Sequence, residues 1–250
     1  MPNYIRVRLS FSGDKEQIKK LDELVKTETI NDKNNIVGCV FDFNKIIPMP
    51  EELNITSGTQ GDFGMRYLLL KAKHPITWNQ DEIEFMRSIE KQKADNPESF
   101  KASIELGKKY MENIVKFGHK DWYSWRIHNW GTKWNALESN IVYDINGELS
   151  EVNFETAWNF PDPIIQKLSE LFPDVRVEFV YADEDTSYNT GTGVYEGGVL
   201  VDCEYPDSES KRAYELYFST HPEYECDYRY DEELGTYVYI DEEDVPKIEE

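Results

Sequence analysis

Hydrophobic and polar positions alternate at the start of the chain. Tyr4, Arg6 and Arg8 interleave with Ile5, Val7 and Leu9, which predicts a strand with one buried face. The period then becomes helical, with Ile18, Leu21, Leu24 and Val25 recurring after the break at Gly13-Asp14. The run IVGCVFDFNKIIPMP returns to strand character and is stopped by Pro48 and Pro50. Residues 1–50 are therefore expected to form a β-α-β unit, the first part of a ferredoxin-like sandwich. Over residues 51–136 the pattern is helical. TSGTQGDFG is glycine-rich and loop-like, and Asn79 with Glu82 forms a capping box ahead of Ile83, Met86 and Ile89. Asn96-Pro97 opens a longer helix whose expected buried face is Phe100, Ile104, Met111 and Ile114/Val115. This stretch reads as a helical insertion or subdomain.

Strands return over residues 137–220. NIVYDI and EVNFETAW flank Asn146-Gly147, a strong hairpin signal, and a second hairpin turns at Gly197-Gly198 within VYEGGVLVDCEY. Between them lie a helix opened by Pro161 and Pro163, with Ile164, Ile165, Leu168, Leu171 and Phe172 on its apolar face, and the strand VRVEFVYAD. SESKRAYELYFSTHP predicts a short helix. In residues 221–250, Tyr224, Cys226, Tyr228 and Tyr230 alternate with polar residues, which predicts a last hairpin in an acidic, tyrosine-rich tail. The expected class is α+β: ferredoxin-like antiparallel sheet(s), helices on one face and a helical insertion in the middle.

Composition sharpens this reading. Aromatic residues make up 14% of the 250, so burial leans on rings and the chain is expected to fold. Cys39, Cys203 and Cys226 form an odd set without CxxC spacing, which indicates neither a disulfide framework nor a zinc site. No apolar run is long enough to span a bilayer or resembles an export signal, so a cytoplasmic location is expected and a membrane role is not. The net charge is −22, and residues 201–250 hold 17 acidic against 4 basic residues, −13 of that total. Such a surface repels a phosphate backbone and attracts a protein with a basic groove. Solubility alone is the plainer account of the same charge.

Candidate chemistry is sparse. DWYSWRIHNWGTKWNA (121–136) places four of the six tryptophans within thirteen positions. One reading is a platform on which Trp125, Asn129, Trp130, Lys133 and Trp134 hold a flat or anionic ligand. The other is a buried corner where Gly131 turns the chain out of a helix. His119 and His128 stand nine apart, against the three to five that sets two imidazoles on one helical face. DEDTSYNTGTGV begins like a calcium loop but has Tyr188 at position six and Val194 at position twelve. No GxSxG, HExxH or phosphate-binding glycine motif is present, so no catalytic residue, metal or cofactor is indicated. In the tail, Glu225, Asp227, Asp231, Glu232, Glu233, Asp241, Glu242, Glu243 and Asp244 are candidate partner-binding residues. A row of carboxylates on one hairpin face, with rings on the other, would imitate phosphates; the alternative is an edge guarded by charge.

Four stretches carry a family resemblance: FDFNKIIPMPEEL (41–53), WRIHNWGTKWNA (125–136), FETAWNFPDPIIQKLSELFP (154–173) and VEFVYADE (177–184). Through them the chain resembles uncharacterised phage and plasmid proteins with a YubB-like, ferredoxin-like domain, over about residues 1–205. The resemblance implies an α+β fold and a bacterial mobile element as its home. It implies no activity and no catalytic residues. Its motif falls on Trp125, Asn129, Trp130, Gly131, Thr132, Lys133, Trp134, Asn135 and Trp158, in structural roles, and leaves the tail after about residue 206 outside. The expected function is a non-enzymatic acidic binding protein whose partner is a host protein with a basic surface, with direct nucleic-acid binding excluded. Its sharpest form is inhibition of a nucleic-acid-binding or defence protein by charge mimicry. The alternative is a small-ligand binder or enzyme with a pocket beside Trp122–Trp134.

Overall fold

The computed structural model describes residues 3–30 and 36–240; side chains of residues 29–30 and 36–39 lie outside the description. The chain runs β1 (Tyr4–Gly13), α1 (Lys15–Val25), β2 (Lys26–Ile30), β3 (Ile36–Phe41) and α2 (Phe43–Ile46). Next come α3 (Thr59–Ala72), α4 (Gln80–Asp95), α5 (Pro97–Phe117) and α6 (Trp122–Asn129). The remainder is β4 (Leu137–Tyr143), β5 (Leu149–Ala157), α7 (Asp162–Leu171), β6 (Val175–Asp183), β7 (Gly191–Glu196), β8 (Val199–Glu204), α8 (Lys211–Thr220), β9 (Tyr228–Asp231) and β10 (Thr236–Tyr239). Two compact units result, one from residues 1–48 with 129–250 and one from residues 49–128.

The first unit holds a six-stranded sheet in the order β4-β5-β1-β6-β7-β8 with every pairing antiparallel. Its first four strands with α1 and α7 trace β1-α1-β4-β5-α7-β6, a ferredoxin-like βαββαβ motif whose α1-to-β4 connection carries residues 26–136. The protein is thus an α+β chain with a ferredoxin-like sheet, as its pattern predicted. The β-α-β unit expected in residues 1–50 is not formed. β3 pairs with β2 in a separate two-stranded sheet, and both neighbours of β1 come from the second half of the chain. A strand run shows that a segment pairs but not with which partner. DFNKII also leaves the strand, because the Asp42 side chain caps α2 by accepting from Asn44 N–H.

Alternation on β1 divides the sheet. Ile5, Val7 and Leu9 are buried on the face that also carries Val152, Phe154, Val177 and Phe179. α7 lies on this side: the Tyr195 hydroxyl, opposite Val177, donates to the Asp162 carboxylate at 2.7 Å. The fully buried Ile164, Ile165 and Leu168 close that core. α8 packs on the other face, beyond the expected helix layer. There Ala182 meets Tyr217 and Phe218, and Tyr214, Tyr228 and Tyr237 join them in a small aromatic core.

The second unit is helical. Asn79 and Glu82 form the expected capping box of α4, and Asn96 caps α5. TSGTQGDFG is helix from Thr59 onward instead of loop. Its glycines serve contact: a Cβ on Gly64 would lie 1.7 Å from the Ser103 carbonyl oxygen, and one on Gly107 2.3 Å from Met65 N. α3 and α5 therefore meet backbone to backbone. This turns α5 so that Ser103, Gly107, Tyr110 and Asn113 are buried, while Val115, expected inside, is 89% exposed. Hydrophobicity located the wrong stripe because the close contact selects small and hydrogen-bonding residues.

Candidate functional site

Three of the four resemblance stretches converge on one junction in the first unit. Trp130 is 1% exposed; its indole N–H donates to the Ile47 carbonyl at 2.9 Å and its ring meets Phe43 edge-on. Asn135 accepts from Phe43 N–H and donates to Asp42, both at 2.8 Å. The Thr132 hydroxyl donates to the Ala157 carbonyl at 2.8 Å. Gly131 has φ +77°, and its α-carbon faces Pro163 so closely that a Cβ would sit 3.0 Å from the proline ring. Lys133 Nζ lies 4.6 Å from the Trp134 ring centre and 5.0 Å from that of Trp158, a cation held over two indoles. Trp125 is buried and Asn129 ends α6. Hence the ring of Trp130 and the ammonium of Lys133 are occupied by the fold, and the segment reads as a corner more than a platform.

Nine positions apart in sequence, His119 and His128 come together in the second unit, with ring centres at 5.1 Å. Burial, then the neighbouring His128, holds His119 below the usual histidine range. Among the described residues no group of three or more His, Cys, Asp or Glu side chains could hold a metal ion. The Asp183 loop is tied internally, its carboxylate accepting from Asn3, Asn189 and Asp185 N–H.

The tail forms its hairpin later and shorter than its alternation suggested. Pro222–Asp227 is a 3-10 turn that takes Tyr224 and Cys226 out of the strand, and β9 pairs with β10. Tyr228, Tyr230, Tyr237 and Tyr239 share one face, but the other carries Arg229 and Val238. The expected row of strand carboxylates is therefore absent among the described residues. Glu232 and Glu233 lie in the turn, beside Asp231, whose carboxylate accepts the N–H groups of Glu233 and Leu234. Glu225 and Asp227 lie in the 3-10 turn. Asp241, Glu242, Glu243 and Asp244 fall outside the described residues.

Sequence reasoning missed an open groove of about 550 Å³ on the α8 side of the sheet. Arg6 and Arg8 form part of its floor, with Glu138, Glu151, Asn153 and Glu155 on β4 and β5. Arg8 donates to the Ser219 carbonyl at 2.8 Å, while Arg6 donates to the Thr220 carbonyl and is paired with Glu155 and Glu223. Both guanidiniums thus satisfy the last carbonyls of α8, where the helix dipole is negative. Arg6 and Glu155 also border a smaller recess of about 150 Å³, walled by Tyr4, Tyr217, His221, Tyr224 and Glu184. His221 is 3% exposed and stacks on Tyr217 at 4.4 Å; burial, reinforced by Arg6, lowers its pKa to about 4. The available signal was Tyr4, Arg6 and Arg8 on one face of a strand that turned out to be central.

Fold and groove together define a ferredoxin-like sheet protein with a helical insertion and a polar, half-covered second face. Residues 129–239 match the family model described as the ferredoxin-like domain in Api92-like protein. The match starts at the Asn129-Trp130 motif and runs through β10, so the matched range includes the tail hairpin that the resemblance had left outside. It omits β1 and α1, which complete the βαββαβ motif. A crystal structure of protein api92 from Yersinia pseudotuberculosis is similar over 83% of this chain and 99% of its own, with 13% identity and a TM-score of 0.41. No curated protein sequence matches the chain. No helix among the described residues is long and apolar enough to cross a membrane.

Proposed function

We propose that this is a non-enzymatic binding protein that engages a host protein through that partner's basic surface. The reading is carried by the way acidic groups are presented on the tail. The rings of Tyr228 and Tyr237 pin the hairpin to Tyr214 and Phe218 of α8. Glu225, Glu232 and Glu233 stay exposed, with no basic side chain within ion-pair distance among the described residues. Held carboxylates without cations of their own favour a cationic partner, and the net charge of −22 steers it by long-range attraction. A partner that normally binds nucleic acid, such as a defence nuclease, has the complementary surface. The finer placement on a phage or plasmid, with YubB-like relatives, rests on the Asn-Trp-Gly-Thr-Lys motif at 129–133.

The test is capture from bacterial lysate by the full-length chain at low and high salt, followed by competition with duplex DNA. The expected outcome is a basic partner that is lost as salt rises and displaced by DNA, with no binding of duplex DNA to the protein itself. Retention indifferent to both salt and DNA would sink the reading.

A further inference from the structure

The groove on the second sheet face has a chemistry of its own, and the role assigned to it rests on the reading of a basic partner. Its walls are rich in acceptors. Glu138, Glu151 and Glu155 come from β4 and β5 and the last carbonyls of α8 from above, while Glu184, just past β6, walls the adjoining recess. Arg6 and Arg8 are the cations that line it, and both already have acceptors: Arg8 the Ser219 carbonyl, Arg6 the Thr220 carbonyl, Glu155 and Glu223. Glu138, Glu151 and Glu184 have no basic side chain within ion-pair distance among the described residues. The protein therefore places two of its own guanidiniums in a trough that keeps carboxylates to spare.

The recess next to Arg6 adds rings to this charge. Tyr217 is buried in a stack with His221, whereas Tyr224 is 44% exposed at the mouth with its ring centre 6.2 Å from that of Tyr217. Rings flanked by a carboxylate attract a cation through both the ring quadrupole and the charge. The volume of about 150 Å³ corresponds to roughly five waters, room for one lysine or arginine side chain.

We propose that this groove is a docking site for an arginine-bearing segment of the protein partner, with one guanidinium entering the recess between Tyr224 and Glu184. Arginine is favoured over lysine because its planar head stacks on a ring while donating in plane to a carboxylate. An acidic segment is disfavoured by the surplus carboxylates, and a nucleic acid by the same charge.

The probe is a short fluorescein-labelled peptide of alternating arginine and glycine, titrated by anisotropy into the full-length chain at low salt. Three variants are compared: Glu151→Gln with Glu184→Gln; Tyr224→Ala; and, on the tail, Glu232→Gln with Glu233→Gln. Circular dichroism checks that each variant is folded. We expect both groove variants to weaken binding, the carboxylate pair by roughly fivefold, and each by more than the tail variant does. A lysine peptide should bind more weakly than the arginine one. If the tail variant loses affinity while the groove variants keep it, the docking site is wrong but a basic partner stands. If the peptide binds nowhere, the groove proposal is overturned, and lysate capture of a basic protein decides the wider reading independently.

Discussion

At the scale of single residues, the side chains with the strongest chemical signature serve the fold, and a residue with a weak signature is strongly perturbed. The Asn-Trp-Gly-Thr-Lys run invited a site because tryptophan and lysine are ligand-binding types. The structure uses Trp130, Thr132 and Asn135 as hydrogen-bonding ties and Lys133 as a cover for two rings. His221, in contrast, looked like a turn residue before a proline and is buried neutral beside Arg6. With its folded pKa near 4 against 6.5 when unfolded, it binds its proton more weakly in the folded state. Its contribution is complete above about pH 6.5 and is lost as pH falls toward 4. Stability should drop by about 2–3 kcal/mol across that window from this group, and urea unfolding of His221→Gln should show a correspondingly flatter pH dependence. A second residue-scale prediction concerns Gly64. Alanine gains up to about 1 kcal/mol of helix propensity there but loses more to the clash with Ser103, so Gly64→Ala should destabilise by about 2 kcal/mol or more in thermal melts.

Among the elements, periodicity found most members and misassigned those whose position depends on distant partners. The turns at Asn146-Gly147 and Gly197-Gly198 dictate their hairpins locally, and the caps Asn79 and Asn96 start their helices where expected; Ser210 caps α8 within the stretch read as helical. β3 was misjudged because its neighbour Lys26–Ile30 was not read as a strand, and the buried stripe of α5 because a backbone-to-backbone crossing is not a local property. The β9–β10 hairpin is the element that carries the proposed binding function. A two-stranded hairpin is marginal alone, so it depends on rings against α8. Tyr237→Ala removes contacts with Tyr214, Phe218 and Tyr230. Limited proteolysis should then cut within residues 228–239 faster than in the parent, while the six-stranded sheet is retained; equal cutting rates would show that the rings do not hold it.

For the whole molecule, charge and topology bear on function separately. In the proposed reading the −22 balance sets the sign of the partner but not its place of contact. The proposed place is the groove that lies on the second sheet face beside the carbonyl end of α8. The affinity for a basic partner should accordingly fall with ionic strength, and the salt slope should shrink when groove carboxylates are neutralised.

The sequence by itself determined the α+β class, the two tight-turned hairpins, the starts of α4 and α5 and the acidic character, because each follows from neighbouring residues or simple counting. Only the tertiary structure decided that β1 would be central between β5 and β6, that Trp130 would be buried against Phe43, and that Arg6 and Arg8 would meet the end of α8. The physical reason is the same in each case. These contacts join residues more than 80 positions apart, and which of many acceptable partners a side chain meets is settled by how the whole sheet closes its core.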